Sequence, residues 1–373
     1  MAKSKTERTA ETVNEIIQDR IIRHGVFLER YKTHEVREIV GFLNTHVERD
    51  LVRKLRDVAS DELTRSRVNK LRPQISQIVR DGYAVMHKKL EPELIQFGAQ
   101  EAAWNARMLR QVMPIEFSVV SPSVAAVREI VRNQPIHGKM VKEWFAELAP
   151  RTAGKVNQQI MIGFVEGEGM DAITRRIRGT RAKKYSDGIL NTSRREVDAI
   201  VRTSIAGVSD NVRQETYEQN TDLIKAVEWV ATLDAPRRRS TKSGNRGKMI
   251  RSGTCIACGA LDGRVFALDE GPRAPLHPNC RCSRVPITKS WKELGMDAKE
   301  APAGTRASMD GQVPEALTYG KWLRRQGAKN PQVVHDALGK TKGRLFMEGK
   351  LTIRDFVDDR SRILTLKELG YAD

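Results

Sequence analysis

All four cysteines of this chain fall between positions 255 and 282, and none lies elsewhere among its 373 residues. Cys255-Ile-Ala-Cys258 sets two thiolates on one tight turn, the usual first half of a tetrahedral zinc site. His277-Pro-Asn-Cys280-Arg-Cys282 offers the second half. A metal held this way ties two loops into one knot, so the cluster constrains the fold more than any other feature of the sequence. Five candidate ligands compete for four positions. Zinc favours thiolate, so Cys255, Cys258, Cys280 and Cys282 form the preferred set. His277 is then a substitute for Cys280, or a group hydrogen-bonded to a ligand. Arg281 and Arg284 stand where they offset the charge of a four-thiolate site. A redox pair is disfavoured, because Gly259 and Asp262-Gly263 read as a turn rather than as the helix of a βαβ unit. A secreted disulfide framework would spread its cysteines and need an export signal. The first fifteen residues are polar, with no apolar core of a signal peptide, so none is expected.

The same window argues for a structural metal and against an enzyme. A catalytic zinc keeps an open position beside a general base. Glu270 is the only Glu in the window and His277 the only His. There is no H-x-E or H-E-x-x-H pattern, Walker loop, G-x-S-x-G elbow or dinucleotide fingerprint. Gly163 to Gly169 encloses two Glu residues, which would repel a phosphate, and reads as a helix-breaking turn.

Around this knot the chain reads as α+β, mainly α. Val36, Val40, Leu43, Val47, Leu51, Leu55 and Val58 recur at helical spacing and predict one long amphipathic helix. Ser60 to Leu63 suggests a break. Pro73 is expected to open a second helix and Pro92 to end it and start a third. Such stripes bury themselves within a bundle or dock on a partner. Residues 114 to 135, with three prolines, read as a connection. Beyond them come short helices punctuated by Gly, then a helix through Val197, Val201, Ile205, Val208 and Val212. Ala226 to Asp234, GRVFAL and SRVPI read as strands. From Thr318 the pattern returns to helix. The longest uncharged apolar stretch, Phe117 to Val127, is far short of the roughly 20 residues of a membrane-spanning helix.

Charge points to a polyanionic partner. The chain carries 65 Lys and Arg against 47 Asp and Glu, a net +18. Between Asp234 and Asp262 stand Arg237, Arg238, Arg239, Lys242, Arg246, Lys248 and Arg251 with no acidic residue. That Gly/Ser/Arg loop suits contact with the phosphates of double-stranded DNA without base readout, and equally suits a solvated surface loop. Aromatic residues are only 5%, which argues against a binder of single strands by base stacking.

Taken in order, these motifs resemble the Mu F-like minor head proteins of tailed bacteriophages, also called phage head morphogenesis proteins. The likeness starts at HGKMVKEWFAEL and GFVEGEGMDAITRRIRGT and runs through the helix VRTSIAGVSDNVRQETYEQN and the strand VEWVATLD. It continues in TCIACGALDGRVF, LHPNCRC and the tail YGKWLRRQGAKNPQVVHDALGKTKGRLF to LTLKEL. It covers about 135 to 373 and is most specific in C-x-x-C-x-x-L-D-G paired with H-P-N-C-R-C and in the W-L-x-x-Q … L-G … L-T-L-x-E-L tail. Members of the family usually follow the strand-end aspartate closely with an Arg-Thr-Cys-like step. Here a basic insertion, Ala235 to Gly253, separates Asp234 from Cys255. Residues 1–134 read as a helical bundle or docking arm, compatible with the resemblance but not implied by it; the resemblance implies a Mu F-like α+β domain over 135–373, which contains the Cys/His cluster read above as a zinc-stabilised β element. It also implies a structural protein inside the virion head, beside the portal, made in the host cytoplasm. The phage portal protein, capsid or scaffold proteins and packaged DNA would be its partners, with roles in head assembly and in retaining or delivering the genome. Some relatives carry a fused toxin enzyme. This chain stops at Asp373 directly after the family tail, so no such domain is expected.

Overall fold

A computed structural model describes residues 13–58, 64–113, 116–235, 237–238, 249–250, 253–295, 305–314 and 316–371. The first helix, α1 (Val13–Phe42), passes without a break through a π-helical turn (Leu43–Glu48) into α2 (Arg49–Asp57). The sequence pattern explains the π turn. On an α-helix each step of four residues overshoots a full turn by about 40°. Leu43, Val47, Leu51 and Leu55 are three such steps in a row, and a regular helix would rotate them off one face. A π turn, closed by i→i+5 bonds, is wider and absorbs part of that drift. All four side chains are buried. They pack against α3 (Arg65–Val112), so this stripe is internal core and not a docking surface. The approach is close: a Cβ on Gly82 would stand 2.2 Å from a Val47 methyl.

The 48-residue α3 overrides both of the breaks expected from proline. Pro73 and Pro92 lie inside it, and the helix is held on either side by buried residues, Leu71 and Ile75 around the first, Leu90 and Leu94 around the second. Thr64 caps it by accepting from the Arg67 amide. Within the stretch expected to be a connection, Ser123 caps a further helix, α4 (Val124–Asn133). The expected short helices are one long element, α5 (Val141–Val165), and a turn later α6 (Met170–Arg178). The turn between them falls where the Gly163–Gly169 run placed it. Then α7 (Leu190–Glu218) completes the helical body.

One hydrophobic core joins helices from both sides of position 134. Val79, Leu94 and Phe97 of α3 share it with Phe145 and Val156 of α5 and Val201 and Val208 of α7. A boundary at 134 therefore cuts through a core, because α3 buries one face on α5 and another on α7.

The chain then forms a three-stranded antiparallel sheet with β1 (Ile224–Val230) at its centre. β2 (Arg237–Arg238) and β3 (Met249–Ile250), near the two ends of the basic insertion, pair antiparallel. After α8 (Ile256–Leu261), β4 (Val265–Phe266) adds to one edge of β1 and β5 (Ser283–Thr288) to the other. A hairpin, β6 (Thr305–Ser308) and β7 (Gly311–Pro314), precedes the C-terminal helices α9 (Tyr319–Lys329), α10 (Pro331–Leu338) and α11 (Lys340–Met347). The architecture is mainly helical with a small antiparallel sheet. α1 ties the parts together: its Ile17 and Ile21 pack with Val227 and Val285 of the sheet. Asn14 Oδ1 accepts from both the amide and the hydroxyl of Thr288, at 2.9 and 3.0 Å. No helix among the described residues is long and apolar enough to cross a membrane.

Candidate metal centre

The two halves of the cysteine motif meet. Cys255 caps the first turn of α8, its Sγ accepting from the Cys258 amide at 3.3 Å. This turn holds both sulfurs on the same side. Cys258 is buried and reaches across to the second half, where its Sγ lies 3.7 Å from Cys280 Sγ and 3.4 Å from His277 Nε2. Two sulfurs on one tetrahedral zinc, each at about 2.3 Å, stand about 3.7 Å apart. The observed spacing thus suits a shared metal and is far too long for a disulfide bond of about 2.05 Å; all four thiols are free.

The ligand atoms form two groups, Cys255 with Cys258 and His277, and Cys258 with Cys280 and Cys282, each within 4.8 Å. Cys258 belongs to both. The second half is shaped by a tight turn in which the Cys280 amide donates to the His277 carbonyl and Asn279 takes a left-handed conformation, φ 61°. His277 Nδ1 lies 2.9 Å from the Pro278 carbonyl, which can only accept, so that nitrogen carries a proton. Nε2 is left facing the sulfurs, the orientation of an imidazole ligand whose other nitrogen is fixed by a hydrogen bond. The sequence alone ranked His277 behind the thiols; its geometry makes it as good a candidate as Cys282.

Electrostatics favour a cation. Hydrogen bonding from Cys258, with His277 beside it, pulls the Cys255 thiol down to about 5. Cys280 is lowered by bonds from Cys258 and Cys282. Those neighbours push Cys258 up, and the Cys255 and Cys280 thiolates raise His277 to about 11. The bond from Cys258 would lower Cys282, but Cys280 and burial outweigh it and push Cys282 up as well, so the lowered thiols are Cys255 and Cys280, one in each half. The sulfur and imidazole donors form a soft set that suits zinc among divalent metals. Cys280 and Cys282 also line a cleft of about 360 Å³ between α1, α7 and the β1 exit.

Two aspartates brace this centre, and neither was singled out as a site residue from the sequence. Asp262, in the L-D-G step after the first cysteines, is buried and accepts from the Ala231 amide at 2.7 Å and the Tyr319 amide at 2.6 Å. It also takes both guanidinium nitrogens of buried Arg306 at 3.1 Å. One carboxylate, at the end of α8, thereby joins the exit of β1 to β6 and the start of α9. Asp234 Oδ1 accepts from the Thr254 amide at 2.9 Å, and its Oδ2 binds Arg281 at 2.6 Å. The insertion that separates Asp234 from Cys255 in sequence leaves them adjacent in space, because the pairing of β2 with β3 brings its ends together. The only sequence signals for these roles were Asp262 beside a turn glycine and Asp234 at the end of a strand.

Of the proposed DNA contacts, Arg237 and Arg238 lie in the two-residue ladder opposite Ile250 and Met249. Arg239, Lys242, Arg246, Lys248 and Arg251 lie outside the described residues. Set against protein-family models, curated proteins and solved structures, the chain matches none of them.

Proposed function

We propose that this chain is a structural, non-enzymatic minor head protein of a tailed bacteriophage. In this reading it sits inside the capsid beside the portal, contacts packaged DNA without sequence preference, and takes part in head assembly and in retaining or delivering the genome. Its metal is zinc and the metal's role is to hold the β element together. One observation supports the reading: in the motifs C-x-x-C-x-x-L-D-G and H-P-N-C-R-C the ligand-type residues and Asp262 are arranged in a way that suits an architectural role. The cysteines and His277 converge, and Asp262 joins the exit of β1 to β6 and the start of α9. A net charge of +18 supports residence among DNA.

The test is to express the chain with the head genes of its phage, purify DNA-filled capsids, and reconstruct them by electron microscopy without imposed symmetry. Density for this chain at the portal vertex, in few copies, is expected. Its absence from purified heads, with the soluble protein present in the lysate, would overturn the assignment. Elemental analysis of the purified chain should find about one zinc per molecule.

A further inference from the structure

The basic insertion and the metal loops account for only half of the chain's charge. Residues 235–290 hold an excess of nine cations, and the chain as a whole has eighteen. Two short segments, 49–56 and 175–186, carry a net excess of nine between them, and the charges of the rest of the chain sum to zero. These segments are far apart in sequence and meet in space. Arg49, Arg53 and Arg56 of α2 and Arg178 of α6 line one groove of about 370 Å³, together with Glu48 and Asp57.

Three carboxylates stand at this surface: Asp57 lines the groove and is exposed, while Glu48 and Asp50 are engaged by its arginines. Glu48 is buried beneath it and is occupied by Arg178, at 2.7 Å, and by Arg194. Asp50 is shared between Arg49 and Arg53 at 3.5 Å, and those arginines remain 67% and 72% exposed. Arg56, Arg175, Arg181, Lys183 and Lys184 are exposed as well.

The loop that presents Arg181, Lys183 and Lys184 is built rather than slack. Thr180 donates to Asp187 through both its amide and its hydroxyl at 2.8 Å, and the Tyr185 amide donates to the Thr180 carbonyl at 2.8 Å. Lys184 and Tyr185 are consecutive left-handed residues, φ 51° and 58°. Backbone of this kind in non-glycine residues is strained, and strain of this sort gathers at functional sites. Arg178 fastens the loop to the groove: its guanidinium lies 4.6 Å from the centre of the Tyr185 ring while its Nε holds Glu48. On α2, Arg49, Arg53 and Arg56 follow at four and three residues, about 6 and 4.5 Å along the axis. A duplex presents one phosphate per about 3.4 Å of axis on each strand, so successive arginines can serve different phosphates.

We infer that the groove between α2 and α6, with the 179–188 loop, is a second, pre-formed site for the phosphodiester backbone of double-stranded DNA. It is separate from the 237–251 insertion and rests on the reading that DNA is the partner. The site carries no base-reading geometry. It contributes affinity and salt dependence, and two such surfaces let one chain hold two stretches of a packed duplex.

The experiment compares the full chain with three variants on unrelated duplexes between about 50 and 200 mM salt. The variants are Arg53→Ala in the groove with Arg181→Ala/Lys183→Ala/Lys184→Ala on its adjoining loop (the groove variant), Arg237→Ala/Arg238→Ala/Arg239→Ala in the insertion, and Lys321→Ala/Lys329→Ala on α9 as a control. Each cation in contact contributes about 0.9 to the slope of log affinity against log salt. The groove variant should therefore flatten the slope by up to about 3.6 and lose at least about tenfold in affinity, equally for every duplex, with the control unchanged. A wild-type chain that binds DNA, and a groove variant that binds just as well, would overturn this site and leave DNA as the partner. A wild-type chain that binds no duplex at low salt would overturn both. Lysine acetylation of the unmodified chain gives a reading that does not depend on how the variants fold. DNA should protect Lys183 and Lys184; protection by polyglutamate but not by DNA would assign the groove to an acidic protein instead.

Discussion

Asp262 and Arg306 form a two-pronged ion pair in which both partners are almost fully buried, with each guanidinium nitrogen 3.1 Å from a carboxylate oxygen. The pair lies behind the cysteine turn, and Arg306 also donates to the Ala231 carbonyl at 2.6 Å. A buried pair of this kind adds little over a well-packed apolar substitute, yet losing one partner is costly because the other charge is stranded. Asp262→Ala should destabilise the chain by about 3–5 kcal/mol. Urea unfolding of the two proteins measures it. A loss below about 1 kcal/mol would mean that water reaches Arg306 in the variant.

The metal centre makes an asymmetric prediction across its ligands. Cys258 belongs to both ligand groups, whereas Cys255, His277 and Cys282 each belong to one. Cys258→Ser should abolish stoichiometric zinc, while His277→Ala and Cys282→Ser should each leave partial occupancy. Elemental analysis reads this directly. Because binding energy at such a site is folding energy, chelation should lower the thermal midpoint. Amide exchange should rise first in β1, α8 and β5, before the α3–α5–α7 core.

A second buried charge predicts a pH dependence. Glu101 accepts from Ser209 at 2.6 Å and bonds His24, with Arg213 at 3.6 Å. Burial pushes this carboxyl up, but the bond to His24 and the nearby Arg213 outweigh it and hold it below the usual 4.5. A depressed carboxyl contributes stability above the unfolded value and loses it as pH falls through the folded one. Glu101→Gln should therefore be less stable by about 2 kcal/mol at pH 7. The gap should narrow as pH drops below about 4.5. Denaturant titrations at several pH values test this, and a gap that persists at pH 3 would contradict it.

Two glycines in long helices should respond in opposite directions. Gly82→Ala places a methyl 2.2 Å from Val47, so overpacking should cost about 1–3 kcal/mol. Adding Val47→Ala should recover part of that loss, and a double-mutant cycle gives the coupling. Gly154 has nothing within 4 Å of its missing Cβ and sits inside α5. Gly154→Ala should stabilise by about 0.5–1 kcal/mol.

The shared core predicts that residues 135–373 do not fold alone. Removing α1 to α4 exposes Phe145, Val156, Val201 and Val208, which are buried in the intact chain. The isolated fragment should lack a cooperative unfolding transition. A fragment with a sharp transition and full zinc content would restore a boundary near 134.

Much of this was legible in the sequence wherever a signal is local. The cysteine spacing alone located the Cys/His cluster, since two turns with side chains at fixed intervals need little beyond their own backbone geometry. β-branched runs located β1 and β5, and the Gly163–Gly169 run located the turn before α6. Prolines misled because a local helix penalty of about 3 kcal/mol per residue is smaller than what burial along a 48-residue helix returns. Four-residue spacings between Leu43 and Leu55 predicted one regular helix; the π turn within it appears only in the structure, where Val47 packs closely on Gly82. Tertiary structure alone decided how Asp234 finds Thr254, how Asp262 finds Arg306, and how two basic segments over a hundred residues apart in sequence come to line one groove. These are long-range pairings whose partners carry no mark in the chain, and they form only once the helices and strands between them have packed.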